Sequence, residues 1–317
     1  MEASDVSRPY FSVIIPTHNR KISLTEAVQS VLNQSFNDFE VRICDDASGY
    51  PVKGYLTSIL PDNRIYIHTN TTNSGPAYSR NRGLEQCTGK YICFLDDDDL
   101  WLPNHLQSLY DIIQKYPQGI LYYSNVQILN VDNNIIVKKK MLPNQILPKK
   151  YFYENPVTTS AVCIRHETIV EKKLQFQEDL RYPEDYLFWM CVSDLRPWYG
   201  TGVVTVTYRV FANSLNLSSQ KVDFITNQRL LMLQKIFEYY ANNQVFNKTY
   251  GEVINRGVYI KIVREYLNNK EPAKSISYLH KLIKLQPYII VKQGFVYIIL
   301  RYILFIFKSI FRKDCCK

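Results

Sequence analysis

Four aspartates in a row, Asp96 to Asp99, follow the apolar, β-prone run Tyr91 to Leu95 and precede Leu100-Trp101-Leu102-Pro103, which opens a helix expected over Asn104 to Lys115. Adjacent anions repel, so four carboxylates at the end of a strand make sense where a cation sits. Carboxylate oxygens suit the hard ions Mg2+ and Mn2+, held by one or two carboxylates with phosphate oxygens and water completing the shell. The run reads equally as a solvated acidic turn that caps the helix behind it. A second acidic pair, Asp45-Asp46, ends the strand expected over Phe39 to Cys44. A third, Glu184-Asp185, falls in the first turn of a helix anchored by Leu187, Phe188 and Met190, where the helix dipole favours negative charge.

The elements that must position these groups alternate. Phe11 to Pro16 is a short buried strand followed by the polar loop Thr17-His18-Asn19-Arg20. Ser23, with Glu26 three residues on, caps a helix carrying Leu24, Ala27, Val28, Val31 and Leu32 at helical spacing. Strand Phe39 to Cys44, helix Val52 to Leu60, strand Arg64 to His68, helix Pro76 to Cys87 and the strand into the aspartates follow. This order predicts an α/β fold with a mostly parallel, Rossmann-like sheet covered by helices. Ligands then bind beyond the carboxyl ends of the strands, where residues 17–20, 45–48 and 96–99 converge. No G-x-G-x-x-G follows the first strand and no Walker A motif occurs, so side chains and metal rather than a glycine-rich loop would hold a nucleotide's phosphates.

Further strands are expected at Gly119 to Asn125, Asn134 to Lys138, Val157 to Ile164 and Val203 to Phe211, with a helix over His166 to Lys172. The Lys- and Pro-rich residues 139–156 are expected as a mobile loop over the site. From Asp223 the pattern becomes helical, over Phe224 to Ala241, Tyr250 to Leu267 and Pro272 to Leu285. The division expected is a catalytic domain at 1–218, a helical extension at 219–286 and a basic amphipathic tail at 287–317.

The 317 residues are 46% hydrophobic, enough for a sizeable core, and the seven cysteines include no C-x-x-C. Reduced thiols in a cytoplasmic protein are therefore expected, without a disulfide framework or zinc site. Met1 to Pro9 is polar and lacks the features of a signal peptide. The net charge of +9 suits a phosphate-bearing ligand, an anionic membrane or nucleic acid. Much of it lies in the tail, where Lys292, Arg301, Lys308, Arg312, Lys313 and Lys317 face only Asp314. The tail's longest uncharged run, Gln293 to Leu300, falls short of the roughly 18 residues of a membrane span. Arg301, Lys308 and Arg312 form one stripe on an otherwise apolar helix, the pattern of a helix lying in the plane of an anionic bilayer surface. Packing of that helix on the protein's own core is the competing reading.

Five segments, in order, resemble the family 2 glycosyltransferases: Val-Ile-Ile-Pro-Thr-His-Asn-Arg (13–20), Ile-Cys-Asp-Asp-Ala-Ser (43–48), Asn-Ser-Gly-Pro-Ala-Tyr-Ser-Arg-Asn-Arg-Gly-Leu (73–84), Gly-Lys-Tyr-Ile-Cys-Phe-Leu-Asp-Asp-Asp-Asp-Leu-Trp-Leu-Pro (89–103) and Pro-Glu-Asp-Tyr-Leu-Phe-Trp (183–189). The resemblance spans about residues 10–215. It implies a GT-A fold, a nucleotide-diphosphate sugar donor, a divalent cation and inversion at the anomeric carbon. It further implies that Pro16, Thr17 and Asn19 line the base and ribose pocket, that Asp46 accepts hydrogen bonds from the base with Asp45 supporting its loop, and that Arg80 lies near the nucleotide. The family's D-x-D falls on Asp96-Asp97-Asp98, which implies Asp98 as the direct metal ligand with Asp96 beside it, and Asp97 turned toward the ribose or donor sugar. Asp99 is an extra carboxylate beyond that triplet. Asp185 matches the catalytic base.

The chemistry is consistent with such roles. Cleaving a sugar–phosphate bond releases a diphosphate that a cation stabilises, and the attacking hydroxyl must give its proton to a carboxylate on the opposite face. Two departures stand out: Gly49-Tyr50-Pro51 replaces a segment where relatives often carry another aspartate, and Phe211 stands where many carry histidine, leaving Arg209 to make any phosphate contact there. The function expected is transfer from a nucleotide sugar, UDP-linked by preference, to a glycan or lipid-linked acceptor at the inner face of a membrane, with Mn2+ or Mg2+ as cofactor and no nucleic acid as partner. A catalytically silent nucleotide-sugar-binding module and a sugar nucleotidyltransferase are the alternatives.

Overall fold

The computed structural model describes residues 8–148, 151, 155–211, 221–241, 248–269 and 271–285. Its first elements alternate. β1 (Phe11–Thr17) and β2 (Phe39–Asp45) are buried along almost their whole length, as strands covered on both faces must be. α1 (Lys21–Leu32) lies between them and buries Leu24, Ala27, Val28 and Val31, one apolar stripe. α2 (Val52–Ile59), β3 (Ile65–Thr69), α3 (Pro76–Gln86) and β4 (Tyr91–Phe94) complete the parallel half. α3 seats tightly because Gly83 faces the sheet: a Cβ there would stand 2.6 Å from Ile14 Cγ2.

β5 (Leu100–Trp101), α4 (His105–Lys115), β6 (Leu121–Asn130), β7 (Ile135–Lys140), β8 (Gln145–Ile146), β9 (Val162–Arg165), α5 (His166–Glu171), α6 (Glu184–Ser193) and β10 (Trp198–Val210) follow. All the strands join one sheet in the order β3-β2-β1-β4-β9-β6-β10-β5, with β7 on β6 and β8 on β10. β9 is antiparallel to both β4 and β6, while β10 is parallel to β6. Two reversals restore direction, so β1, β2, β4, β6 and β10 all end at the same edge of the sheet.

Several local expectations change. α1 begins at Lys21, after Arg20, with no side-chain cap, so Ser23 and Glu26 lie inside the helix. Glu26 instead pairs with Arg209. Leu100-Trp101 does not open a helix but forms a short strand against Val206 and Thr207, with the Trp101 indole donating to Ser160 O at 2.7 Å. Within 139–156, Gln145–Ile146 is a strand paired with Trp198–Tyr199, and Ile146 is buried. β9 is shorter than Val157 to Ile164 because Thr159–Ala161 is a 3-10 turn. β10 starts at Trp198, ahead of Val203, and passes through register shifts between Gly200 and Val206.

The described residues up to 211 form one compact unit and those from 221 onward a second. The second holds α7 (Val222–Tyr240), α8 (Lys248–Asn268) and α9 (Pro272–Leu285). Tyr266 stacks on Tyr278 with centroids 5.5 Å apart, and Ser275 Oγ donates to Val263 O at 3.1 Å, which ties α9 to α8. Asp223 on α7 accepts from Tyr266 at 2.7 Å and from Lys274 at 2.6 Å. The amphipathic tail at 287–317 lies outside the described residues. Among the described residues no helix is long and apolar enough to cross a membrane.

Candidate active site

The edge where the strands end is assembled by register. β1 pairs with β4 through Ile14↔Phe94 and with β2 through Thr17↔Asp45. Three residues beyond each partner of the first pair, Thr17 meets Asp97: the hydroxyl donates to Asp97 Oδ2 at 2.6 Å. The β1 and β2 loops are clasped together. Asp46 N–H donates to Thr17 O at 2.8 Å, Asn19 N–H to Ser48 Oγ at 2.9 Å and Gly49 N–H to Asn19 Oδ1 at 2.7 Å. Asn19 takes the left-handed conformation, φ 56°, which asparagine tolerates better than most residues. Pro16 pairs with Cys44 in the strand register just behind these loops. His18 joins the clasp through a 2.8 Å contact from Nδ1 to Asp46 O.

The four aspartates have four fates. Asp99 is fully buried, accepting from Ser160 Oγ and, at 3.1 Å, from the Arg209 N–H. Burial, with Asp96 and Asp98 nearby, holds its carboxyl well above the ordinary carboxylate range. Asp97 is also buried; besides Thr17 it accepts from Arg20 Nη1 at 3.0 Å. Burial outweighs these partners and pushes it up to about 6. Only Asp96 and Asp98 keep substantial side-chain exposure, 29% and 20%. Asp98 pairs with Arg20, and burial together with Asp96 raises it. Asp96 pairs with Arg80 Nη2 at 2.8 Å.

That division bears on a cation. The two carboxylates that reach the open edge are the first and third of the triplet, with oxygen donors of the type that Mg2+ and Mn2+ take. Among the described residues no three His, Cys, Asp or Glu side chains are placed to hold a metal together. The oxygens of Asp96 and Asp98 are donors of the kind used by an ion that takes one or two protein carboxylates and completes its shell with phosphate and water. The fourth carboxylate belongs to the protein interior.

Asp46 is 4% exposed and already well used. Its oxygens accept from Asn70 Nδ2 at 2.9 Å, Ser74 N–H at 3.0 Å and Gly75 N–H at 2.7 Å. These bonds hold the loop that enters α3, where Gly75 sits at φ 92°. Of a carboxylate's roughly four acceptor positions, about one is left for a ligand. Arg80 likewise has both Nη groups engaged: with Asp96, and with Glu184 Oε1 at 2.8 Å. Its side chain is 5% exposed, stacked 5.5 Å from the Phe176 ring. It lies beneath the edge as a tie between two acidic elements, not as an exposed contact.

Asp185, at the start of α6, is partly exposed. Its Oδ2 accepts from Asn155 Nδ2 at 2.8 Å and from Thr159 Oγ1 at 2.9 Å, and Oδ1 from the Tyr186 N–H at 2.6 Å. Burial raises it above the ordinary carboxylate range against the pull of Arg80 and Thr159. Glu184 is raised by burial too, with Arg80 opposing and Asp185 adding to the shift. Through Glu184 and Arg80 the Asp185 turn is linked to the turn that bears Asp96 and Asp98. At the end of β10, Arg209 touches Asp98 O through Nε and Glu26 through Nη1, while its buried Nη2 has no hydrogen-bond partner.

Sequence reasoning missed Arg20, Glu184, Asn155 and Thr159. Arg20 and Glu184 stand inside the segments already singled out. Asn155 and Thr159 sit in an irregular stretch whose fold depends on distant partners, and they carried no local signal.

The comparisons with known proteins agree with this architecture. A family model described as glycosyl transferase family 2 matches residues 12–174. A Campylobacter jejuni protein named GalNAc(5)-diNAcBac-PP-undecaprenol beta-1,3-glucosyltransferase is 28% identical over 236 residues, 73% of this chain and 74% of that one. The Escherichia coli UDP-Glc:alpha-D-GlcNAc-diphosphoundecaprenol beta-1,3-glucosyltransferase WfgD is 29% identical over 181 residues, 57% and 68% of the two chains. Among solved structures, S. aureus TarS 1-349 in complex with UDP-GlcNAc superposes with a TM-score of 0.65 at 19% identity, covering 87% of this chain and 81% of TarS. Mannosyltransferase PcManGT from Pyrobaculum calidifontis, in complex with GDP-Man and Mn2+, gives 0.51 at 14% identity over 96% and 88%. These two likenesses show the fold, GT-A. With half of its length matched by the family model and its motifs gathered at one sheet edge, the chain belongs to glycosyl transferase family 2.

Proposed function

We propose that this glycosyltransferase is inverting and cation-dependent, and that it moves a sugar from a UDP-linked donor to a hydroxyl of a lipid-linked or polysaccharide acceptor in surface glycan synthesis. The observation that carries the reading is the Arg80 guanidinium, which contacts Asp96 and Glu184 at 2.8 Å each. It draws a candidate metal turn and a candidate base helix to one edge. The donor and acceptor classes rest on the two bacterial relatives, whose names give glucosyl transfer to undecaprenol-diphosphate-linked glycans.

In this reading Pro16, Thr17, Asn19 and Asp46 shape the base and ribose pocket, and Asp97 faces the ribose or donor sugar. Asp98 and Asp96 hold Mn2+ or Mg2+, which when bound would offset the charge of the departing diphosphate. Arg209, at the end of β10 and bonded through Nε to Asp98 O, is the residue left to contact the same diphosphate. Asp185 takes the proton of the acceptor hydroxyl as it attacks; a carboxylate raised by burial is a stronger base than a free one. A single displacement from that side inverts the anomeric carbon. Peripheral contact of the 287–317 tail with the inner face of the membrane is part of the proposal and rests on sequence.

The test is release of UDP from UDP-sugars, with and without Mn2+ or Mg2+. Metal-dependent release that Asp185→Asn abolishes, while UDP affinity stays within about twofold, supports the assignment. Release of pyrophosphate in place of UDP, or full turnover in Asp185→Asn, overturns it. UDP binding without turnover in the unaltered chain identifies a silent binding module.

A further inference from the structure

The β6–β7 hairpin presents an apolar surface that nothing among the described residues covers. Ile135, Ile136, Val137 and Met141 are each about half exposed, at 54%, 48%, 58% and 58%. They are four of the eleven large hydrophobic residues exposed among the described residues, gathered within seven positions. Scattered singly, such residues need no explanation; clustered, they mark a contact surface. Ile135 to Lys139 are exposed without a break, through a bulge in the ladder at Val137. Neither face of the strand's first half is therefore buried. Among the described residues β7 pairs with β6 alone and is an edge.

Lys138, Lys139 and Lys140 follow directly. Lysines commonly guard an edge strand from pairing with another chain. An apolar trio beside them defeats that purpose. Apolar strand residues bordered by lysines suit a different neighbour, one with a hydrocarbon interior and an anionic face. The hairpin is also a built feature. Asn130 Oδ1 accepts the Asp132 N–H at 3.1 Å and Asn133 Oδ1 the Ile135 N–H at 3.2 Å, closing the turn. Asp132 is the acidic residue of that turn, against three lysines.

Its position gives the surface a purpose. Ile136 pairs with Leu129, Leu129 with Arg209, and the Arg209 N–H reaches Asp99. The apolar start of β7 thus lies at the same end of the sheet as the acidic turn, just inside the polar Asp132-Asn133-Asn134 turn. We propose that the β6–β7 hairpin docks on an anionic lipid bilayer, with Ile135, Ile136 and Val137 inserted at the interface and Lys138–Lys140 on the headgroups, so that the site edge faces the membrane. This deepens the reading of a lipid-linked acceptor and rests on it. It is separate from any contact made by the tail.

The test uses the full chain carrying Val137→Trp. The three native tryptophans, Trp101, Trp189 and Trp198, are buried and give a constant background. With vesicles containing phosphatidylglycerol, the new indole should shift to the blue and be quenched by brominated acyl chains; with purely zwitterionic vesicles the effect should largely vanish. Removing Lys138 or Lys139 should weaken partition by up to about fivefold for each lysine lost. An indole that stays water-exposed while the chain is bound to vesicles overturns the proposal, because the tail alone would then be the anchor. Absence of vesicle binding overturns it as well. A blue shift that grows with protein concentration in the absence of lipid shows edge pairing between copies and also overturns it. UDP release measured in solution needs no membrane, so failure of the docking and failure of the transferase reading are told apart.

Discussion

Four carboxylates in sequence can coexist at the end of a strand because they do not share one environment. Asp99 turns inward to Ser160 and the Arg209 N–H, Asp97 to Thr17 and Arg20, and only Asp96 and Asp98 retain the open edge. Asp99→Ala should therefore cost about 1–3 kcal/mol, since it leaves a buried hydroxyl and a backbone N–H without an acceptor. Chemical denaturation measures it, and a loss below about 0.5 kcal/mol would contradict the assigned role. The inward turn of Asp99 was not legible from sequence. A run of identical residues contains no signal for direction, and the partners that decide it come from Ser160 and β10. The presence of an acidic edge was legible, because each apolar run ends in its polar cluster. At Asp185 the raised carboxyl sets a pH prediction. A general base must be deprotonated, so kcat/KM should fall as pH drops through a value above the ordinary carboxylate range. An acid limb at or below about 4 would show the group to be unperturbed.

At the scale of elements, the parallel half was legible because β1 and β4 are largely apolar runs, β2 alternates apolar with charged residues, and α1 carries one buried apolar stripe. β5 and β8 were not. Each is two residues long and exists only through its pairing with β10, which is a fact about distant sequence. The same long-range packing encloses His105 on α4. Its ring lies 4.2 Å from that of Trp101, its Nδ1 is 2.7 Å from Thr205 Oγ1, and its Nε2 is buried with no hydrogen-bond partner. Burial lowers its pKa to about 3. Between that value and the unfolded value near 6.5 the unfolded chain binds the extra proton, so stability falls as pH falls through this window. From pH 6.5 to 5 the expected loss is about 2 kcal/mol from this residue, and His105→Phe should remove that part of the slope. Urea denaturation at several pH values checks it; equal slopes in both proteins would show that His105 titrates normally. On α3, Asn81 grips the Phe176 backbone with 2.9 Å and 2.8 Å bonds, next to the Arg80 tie. Asn81→Ala should lower kcat more than donor affinity, because it loosens the segment leading into α6 and leaves the donor loops alone. Single-turnover kinetics with UDP titration separates the two effects.

For the whole molecule, the decisive property is that the candidate donor contacts come from three loops on three strands, residues 17–20, 45–49 and 96–98, brought together by parallel register. A ligand that touches all three links them, and binding only the folded state adds RT ln(1 + [L]/Kd) to stability. At a hundredfold excess over Kd that is about 2.7 kcal/mol, well within the reach of a melting experiment. UDP and Mn2+ together should therefore raise the melting temperature by more than the sum of either alone, because each supplies part of the other's shell. The single substitution Asp98→Asn, which leaves the Asp96–Arg80 pair intact, tests where that coupling resides. It should remove the synergy, yet the unliganded protein should melt no lower than the unaltered chain, since burial and mutual repulsion already disfavour charge at Asp98. Loss of synergy with a large fall in unliganded stability would mean that this carboxylate serves the fold. Retention of synergy would place the cation elsewhere and leave the open acidic edge without a ligand.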